Sequence, residues 1–165
     1  MRRWMLFLAL ASNVPACTAE EEAGPYVDPD IETFPAEASR QVPVGTPTVY
    51  NTDPPTSGMQ YPVPQAGGFY TNNIAAGFLV HSLERGGVVV YYDANYVAPA
   101  DLDRLRDLAA EHPGDSAQVV VVPRSDATFP IILTAWTHRL RLTLYDPGRV
   151  EGFLALFLGQ GPEHS

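Results

Sequence analysis

His81 and Glu84 are the residues whose types and spacing best suit chemistry. Three positions apart, they share one face if their segment is helical, and an imidazole beside a carboxylate begins a zinc or copper site. Two ligands do not close such a site. His138, Asp146, Met59 or Gln60 would have to complete it across space, and Met59 would turn the preference towards a soft ion such as Cu(I). The plainer reading is that His81 and Glu84 hydrogen-bond backbone groups where a helix turns tightly into a strand at Gly86-Gly87. Ser57 is a poor nucleophile candidate. Thr56-Ser57-Gly58-Met59 lacks the G-x-S-x-G elbow, and the preceding Pro54-Pro55 makes turn formation a sufficient account of both hydroxyls. A Ser57/His81/Asp93 triad can be written down, but no local motif supports it. Gly67-Gly68 and Gly86-Gly87 belong to no phosphate-cradling loop.

The elements that must position these residues begin near Val49-Tyr50. Asn51 to Gly58 is turn chemistry throughout, and Ala66-Gly67-Gly68 marks another loop. Ile74 to Glu84 reads as a short helix burying Phe78, Leu79 and Leu83, closed by Gly86-Gly87 as a left-handed cap. Val88 to Tyr92 is an uninterrupted apolar, β-branched and aromatic run, as in a strand covered on both faces. Asp101 to Glu111 is a helix with Leu102, Leu105, Leu108 and Ala109 on one side, with Asp101 and Asp103 favoured at its positive end. His112-Pro113-Gly114 stops it. Val119–Val122, Ile131–Trp136 and Leu140–Tyr145 are three further strands, the last alternating as if one face were wet. Asp146-Pro147-Gly148 leads into a final helix with Val150, Phe153, Leu154, Phe157 and Leu158 at helical spacing. Core packing is the ordinary account of Tyr91, Tyr92, Trp136 and Tyr145; an aromatic-lined cleft near His81 is the alternative.

The fold class is therefore a single α/β (α+β) domain over residues 48–165, with a mixed, mostly central β-sheet packed by two or three helices. The first crossover should set Val88–Tyr92 parallel to Val119–Val122, with antiparallel strands completing the sheet. The β-α-β-β-α order, with Pro130 just before a strand, also resembles the thioredoxin fold, although the redox cysteines are absent.

The N-terminal region reads differently. Arg2 and Arg3 precede an apolar run, Trp4 to Ala11, that as a helix would span only about 12 Å against a hydrocarbon core of ~30 Å. Residues 1–16 are read as a signal peptide. Val14-Pro15-Ala16-Cys17 resembles the lipobox of bacterial lipoproteins, which implies cleavage before Cys17 and its lipidation; Pro15 departs from the usual small residue there. The alternative is ordinary secretory cleavage after Ala16 or Ala19. Thr18 stands where an aspartate would act as a retention signal, so the resemblance allows outer-membrane sorting. Residues 17–47 read as the lipidated cysteine and an acidic, proline-rich tether. Between 18 and 47 lie five prolines and seven acids against the single base Arg40, and such a coil reaches roughly 30 Å. With one cysteine in the chain, an intrachain disulfide, a CxxC pair and a multi-cysteine zinc site are excluded. A formal charge of -9 repels phosphate backbones and argues against nucleic-acid binding.

Pro54-Pro55-Thr56-Ser57-Gly58 with Tyr61-Pro62, His81-Ser82-Leu83-Glu84-Arg85-Gly86-Gly87-Val88 leading into Tyr91-Tyr92-Asp93, Thr134-Ala135-Trp136 and Gly161-Pro162-Glu163 together resemble the bacterial domain of unknown function 3105 family. Its members are typically secreted, lipid-anchored or attached to a single membrane helix, and it carries no established activity. The resemblance implies histidines at the positions held here by Gln60 and Arg85, which with His81 would make a three-imidazole metal site. This chain keeps His81 alone of the three. Arg85 is a permanent cation that cannot ligate a metal; it can pair with Glu84 or with a ligand carboxylate.

The leading functional expectation is an exported, membrane-anchored lipoprotein facing the periplasm or cell exterior. Its non-catalytic domain would bind an unidentified protein or small molecule, with Gln60, His81, Glu84, Arg85 and His138 as candidate ligand-binding residues. The alternative is a periplasmic copper- or zinc-binding domain centred on His81 and Glu84, and a hydrolase is third.

Overall fold

The computed structural model describes residues 27–164. The signal peptide expected over 1–16, Cys17 and the start of the expected tether, residues 18–26, lie outside them. In chain order the elements are β1 (Glu32–Thr33), β2 (Arg40–Gln41), β3 (Met59–Gln60), β4 (Gly68–Phe69), α1 (Ala76–Glu84), β5 (Val88–Tyr92), α2 (Pro99–Glu111), β6 (Val119–Pro123), β7 (Ile131–Ala135), β8 (His138–Leu142), α3 (Pro147–Phe157) and a short 3-10 turn, Pro162–His164.

The main sheet has the order β1-β8-β7-β5-β6-β4. As expected, β5 and β6 run parallel, in the register Val88↔Val119 to Tyr92↔Pro123. β7 is antiparallel to both β5 and β8. At the two margins sit strands of two residues each: β1 antiparallel to β8, and β4 parallel to β6.

Three layers follow from the period-2 alternation of the central strands. Val89, Tyr91, Val120, Val122 and Ile132 face α1, where Leu79 and Leu83 pack on them. Val88, Val90, Val119, Val121, Leu133, Leu140 and Leu142 face the other way, onto Leu105 and Ala109 of α2 and Val150, Phe153 and Leu154 of α3. Every β5 residue is buried, which is why that run carries no polar position. The last strand differs from the expected Leu140–Tyr145: it starts at His138 and ends at Leu142, and Leu144 is 76% exposed. The alternation is real, and the face expected to be wet is exposed at Arg141 and Thr143 but covered at Arg139.

What covers it is the segment expected to be a tether. From Asp28 onward that segment packs on the domain. Asp28 and Val42 are buried, β1 joins the main sheet, and β2 pairs in parallel with β3 to make a second, two-stranded sheet. Arg149 grips Asp28 with Nε and Nη2 at 2.5 and 3.0 Å, and Arg139 grips Glu32 at 2.9 and 3.1 Å. The Arg139 guanidinium also lies over the Phe34 ring at 4.9 Å. Acids that repel one another in an isolated coil are thus neutralised by cations on α3 and β8. The carboxyls of Asp28 and Glu32 are held below their ordinary values, chiefly by the hydrogen bonds from Arg149 and Arg139 respectively.

Candidate functional site

α1 ends in a Schellman arrangement. Gly87 N–H donates to Ser82 O at 2.8 Å and Gly86 N–H to Leu83 O at 3.0 Å, with Gly86 at φ +80°. The C-terminal segment folds onto this cap, Gly159 N–H donating to Gly86 O at 2.7 Å. Gly161 lies so close that a side-chain carbon there would collide with the backbone of Glu84 and Gly86. This close approach brings Glu163, four residues beyond the cap contact at Gly159, back to the buried face of α1.

There, Glu163 Oε2 lies 3.9 Å from His81 Nε2. His81 is 4% exposed, and its Nδ1 is 2.7 Å from the carbonyl oxygen of Tyr61. A carbonyl only accepts, so Nδ1 carries the proton and Nε2 presents its lone pair to the carboxylates. Nitrogen and carboxylate oxygens of His81, Glu84 and Glu163 all lie within 4.8 Å of one another. Ligands of a tetrahedral zinc ion, with bonds of about 2.0–2.1 Å, sit about 3.3 Å apart, so closing the set needs a shift of about an ångström. Glu163, whose side chain is 45% exposed, is free to supply it.

Two further side chains converge on Glu84. Ser39, on the segment entering β2, donates its hydroxyl to one carboxylate oxygen, and Gln60, on β3, donates its amide to the other. The Gln60 amide orientation is dictated by chemistry, because its oxygen would repel the carboxylate. That leaves Gln60 Oε1 buried without a hydrogen-bond partner, an arrangement that costs about 1–3 kcal/mol unless something supplies positive charge. The clustered donors are thus one imidazole and two carboxylates, suited to zinc-class divalent ions and not to Cu(I). Met59 does not contribute the thioether expected of it: its sulfur accepts from Arg40 Nη2 at 3.6 Å.

Of the residues singled out by sequence, Gln60, His81 and Glu84 come together. Arg85 does not join them. Its guanidinium pairs instead with Asp115 at 3.7 Å. His138 is also elsewhere. Its parity on β8 places it with the α3 side of the sheet, stacked on Phe157 at 4.3 Å, with Nδ1 2.7 Å from Trp136 O. Asp146 caps α3 by accepting from Arg149 N–H at 3.1 Å. The Ser57/His81/Asp93 set does not assemble: Ser57, 1% exposed, accepts from Glu37 N–H, and Asp93 accepts from the backbone of Asn95 and Asp126. Sequence reasoning missed Ser39 and the approach of Glu163 to His81. The one available signal was the closing Gly161-Pro162-Glu163, in which a glycine precedes an acid.

The family model described as "Protein of unknown function (DUF3105)" matches residues 41–165. No curated protein and no solved structure matches the chain. The matched stretch contains Gln60, His81, Glu84 and Glu163, and it omits Ser39 and the β1 segment, which pack against it. Since the match spans well over half of the 165 residues, the chain belongs to the DUF3105 family of proteins of unknown function.

Proposed function

We propose that this domain holds a divalent metal ion of the zinc class in a non-catalytic role, with His81 Nε2, Glu84 and Glu163 as ligands and Gln60 Oε1 as the fourth donor. One observation carries the reading: the Tyr61 carbonyl fixes the tautomer of a buried histidine so that its lone pair faces two carboxylates. A carbonyl behind a ligating imidazole is the usual outer-shell support of a metal site. With Gln60 Oε1 added to the three clustered donors, a tetrahedral ion would be filled and leave no position for a substrate, which would favour a structural or sensing role over hydrolysis. The ion would pin the C-terminal segment to α1. Titration calorimetry with zinc on untagged protein should give one site that His81→Ala abolishes and Glu163→Gln weakens. No heat of binding, or binding unchanged in His81→Ala, rejects the reading.

The setting we propose is the cell envelope, with Cys17 lipidated and the domain facing the periplasm or exterior. The basic and apolar start of the chain and the lipobox-like Val14-Pro15-Ala16-Cys17 support it. Fatty-acid labelling should disappear in Cys17→Ser; retention of label in that variant would refute lipidation at this residue.

A further inference from the structure

A second site lies at the carboxyl ends of the parallel strands β5 and β6, where ligands of open α/β sheets characteristically bind. A cleft of about 680 Å³ opens there between the 48–55 loop, the start of α1 and residues 122–125, and it shares no lining residue with the His81 cluster. Its volume suits a small organic molecule.

The cleft's polar groups have one character in common. Arg124 is the single cation among its lining residues, and it holds both oxygens of Asp53 in a two-pronged grip, Nη1 to Oδ1 at 3.1 Å and Nη2 to Oδ2 at 2.8 Å. Its Nε–H is buried and has no partner. At the floor, the hydroxyl of Tyr91, a residue 6% exposed, lies beside the fully buried hydroxyl of Thr134, its neighbour within hydrogen-bonding reach. Burial pushes the Tyr91 hydroxyl well up from its ordinary value, so it stays a donor throughout the physiological range. α1 begins at the cleft through Ala76; Ala75 offers no side-chain cap, and the first turn holds no acid. An unspent guanidinium donor beside an uncapped, acid-free helix start calls for an anion. Pro54, Pro55, Ile74, Leu79 and Val122 supply apolar wall for the rest of a ligand.

Asp53 identifies the kind of anion. Its side chain is 79% exposed, so the pair with Arg124 is a surface pair of small worth and readily exchanged. A planar carboxylate already fits the fork. A phosphate dianion would need further cations, and none lines the cleft. We propose that the cleft binds a small carboxylic acid whose carboxylate displaces that of Asp53 from Arg124 while its apolar body lies against Pro54, Pro55 and Ile74.

The test uses benzoate and its uncharged isostere benzamide, followed by amide chemical shifts of 15N-labelled protein. Benzoate should move the resonances of residues 74–77 and 122–125, with benzamide weaker by roughly tenfold or more. Asp53→Asn, which removes the internal competitor, should tighten benzoate binding, and Arg124→Gln should weaken it by roughly tenfold with an unchanged thermal melt. Equal binding of the two probes, benzoate binding unaltered in Arg124→Gln, or no movement of the cleft resonances up to roughly 50 mM benzoate would each overturn the proposal. Should Arg124→Gln fail to fold, Asp53→Asn decides alone: weaker or unchanged binding there refutes the displacement.

Discussion

His81 shows how its surroundings orient a single side chain: one ring nitrogen is committed to Tyr61, and the other is thereby left facing Glu163 and Glu84. Gln60 sits at the position where the family resemblance implies histidine, and it already contacts Glu84. Gln60→His should therefore raise zinc affinity by about tenfold or more, read by calorimetry, because an imidazole is a stronger zinc donor than an amide oxygen. Arg85→His, at the other implied histidine position, should leave affinity unchanged, because that side chain faces Asp115. An equal gain from both variants would show that the cluster is not organised as described. At this scale the sequence revealed the His81/Glu84 pair through helical spacing, which is a local rule. It did not reveal Ser39, which reaches Glu84 from 45 positions away and belongs to no periodic element. It also misassigned His138, because only the three-dimensional parity of β8 decides which layer that ring enters.

Among the elements, those with strong local patterns were legible: α1, α2, α3 and the four central strands all occur close to where periodicity puts them. β1 to β4, at two residues each, carry no period to read. The segment from Asp28 to Val42 was misread because its stabilising partners, Arg139, Arg141 and Arg149, lie more than 100 positions later. In sequence those acids face one another; in the fold Asp28, Asp30 and Glu32 each face an arginine. Arg139 is the main fastening, bonding both Glu32 oxygens and, at 2.7 Å, the Asp53 carbonyl. Arg139→Ala should cost about 2 kcal/mol in urea unfolding and expose residues 28–34 to limited proteolysis. A loss within experimental error, with proteolysis unchanged, would mean that the segment is held by its backbone contacts instead.

For the molecule as a whole, Asp28, Glu32 and Asp93 bind the N-terminal segment and the β5–α2 connection, and all three are held below their ordinary values. The leading causes are the Arg149 hydrogen bond, the Arg139 hydrogen bond and the Asn95 backbone N–H respectively. Carboxyls depressed in the folded state stabilise it fully above the unfolded values of 3.8 and 4.5, and that stability is lost as pH falls through the lower folded values. The melting temperature should thus be flat from pH 7 to about 5 and drop steeply below about pH 4.5. An Arg139→Ala/Arg149→Ala double variant should show a shallower drop; the same steepness would assign the acid sensitivity to other groups. The two-residue strands at either margin of the main sheet carry one more consequence. Proteins crowded onto a surface meet their copies edge-on, and an exposed row of unpaired amides and carbonyls is where strand-by-strand polymerisation starts. Here the outermost ladder on each side breaks off after two rungs, and one side is lined by Glu32 and the arginines around it. The same short margins that left no trace in the sequence thus offer a neighbouring molecule only two-residue outer strands to pair with.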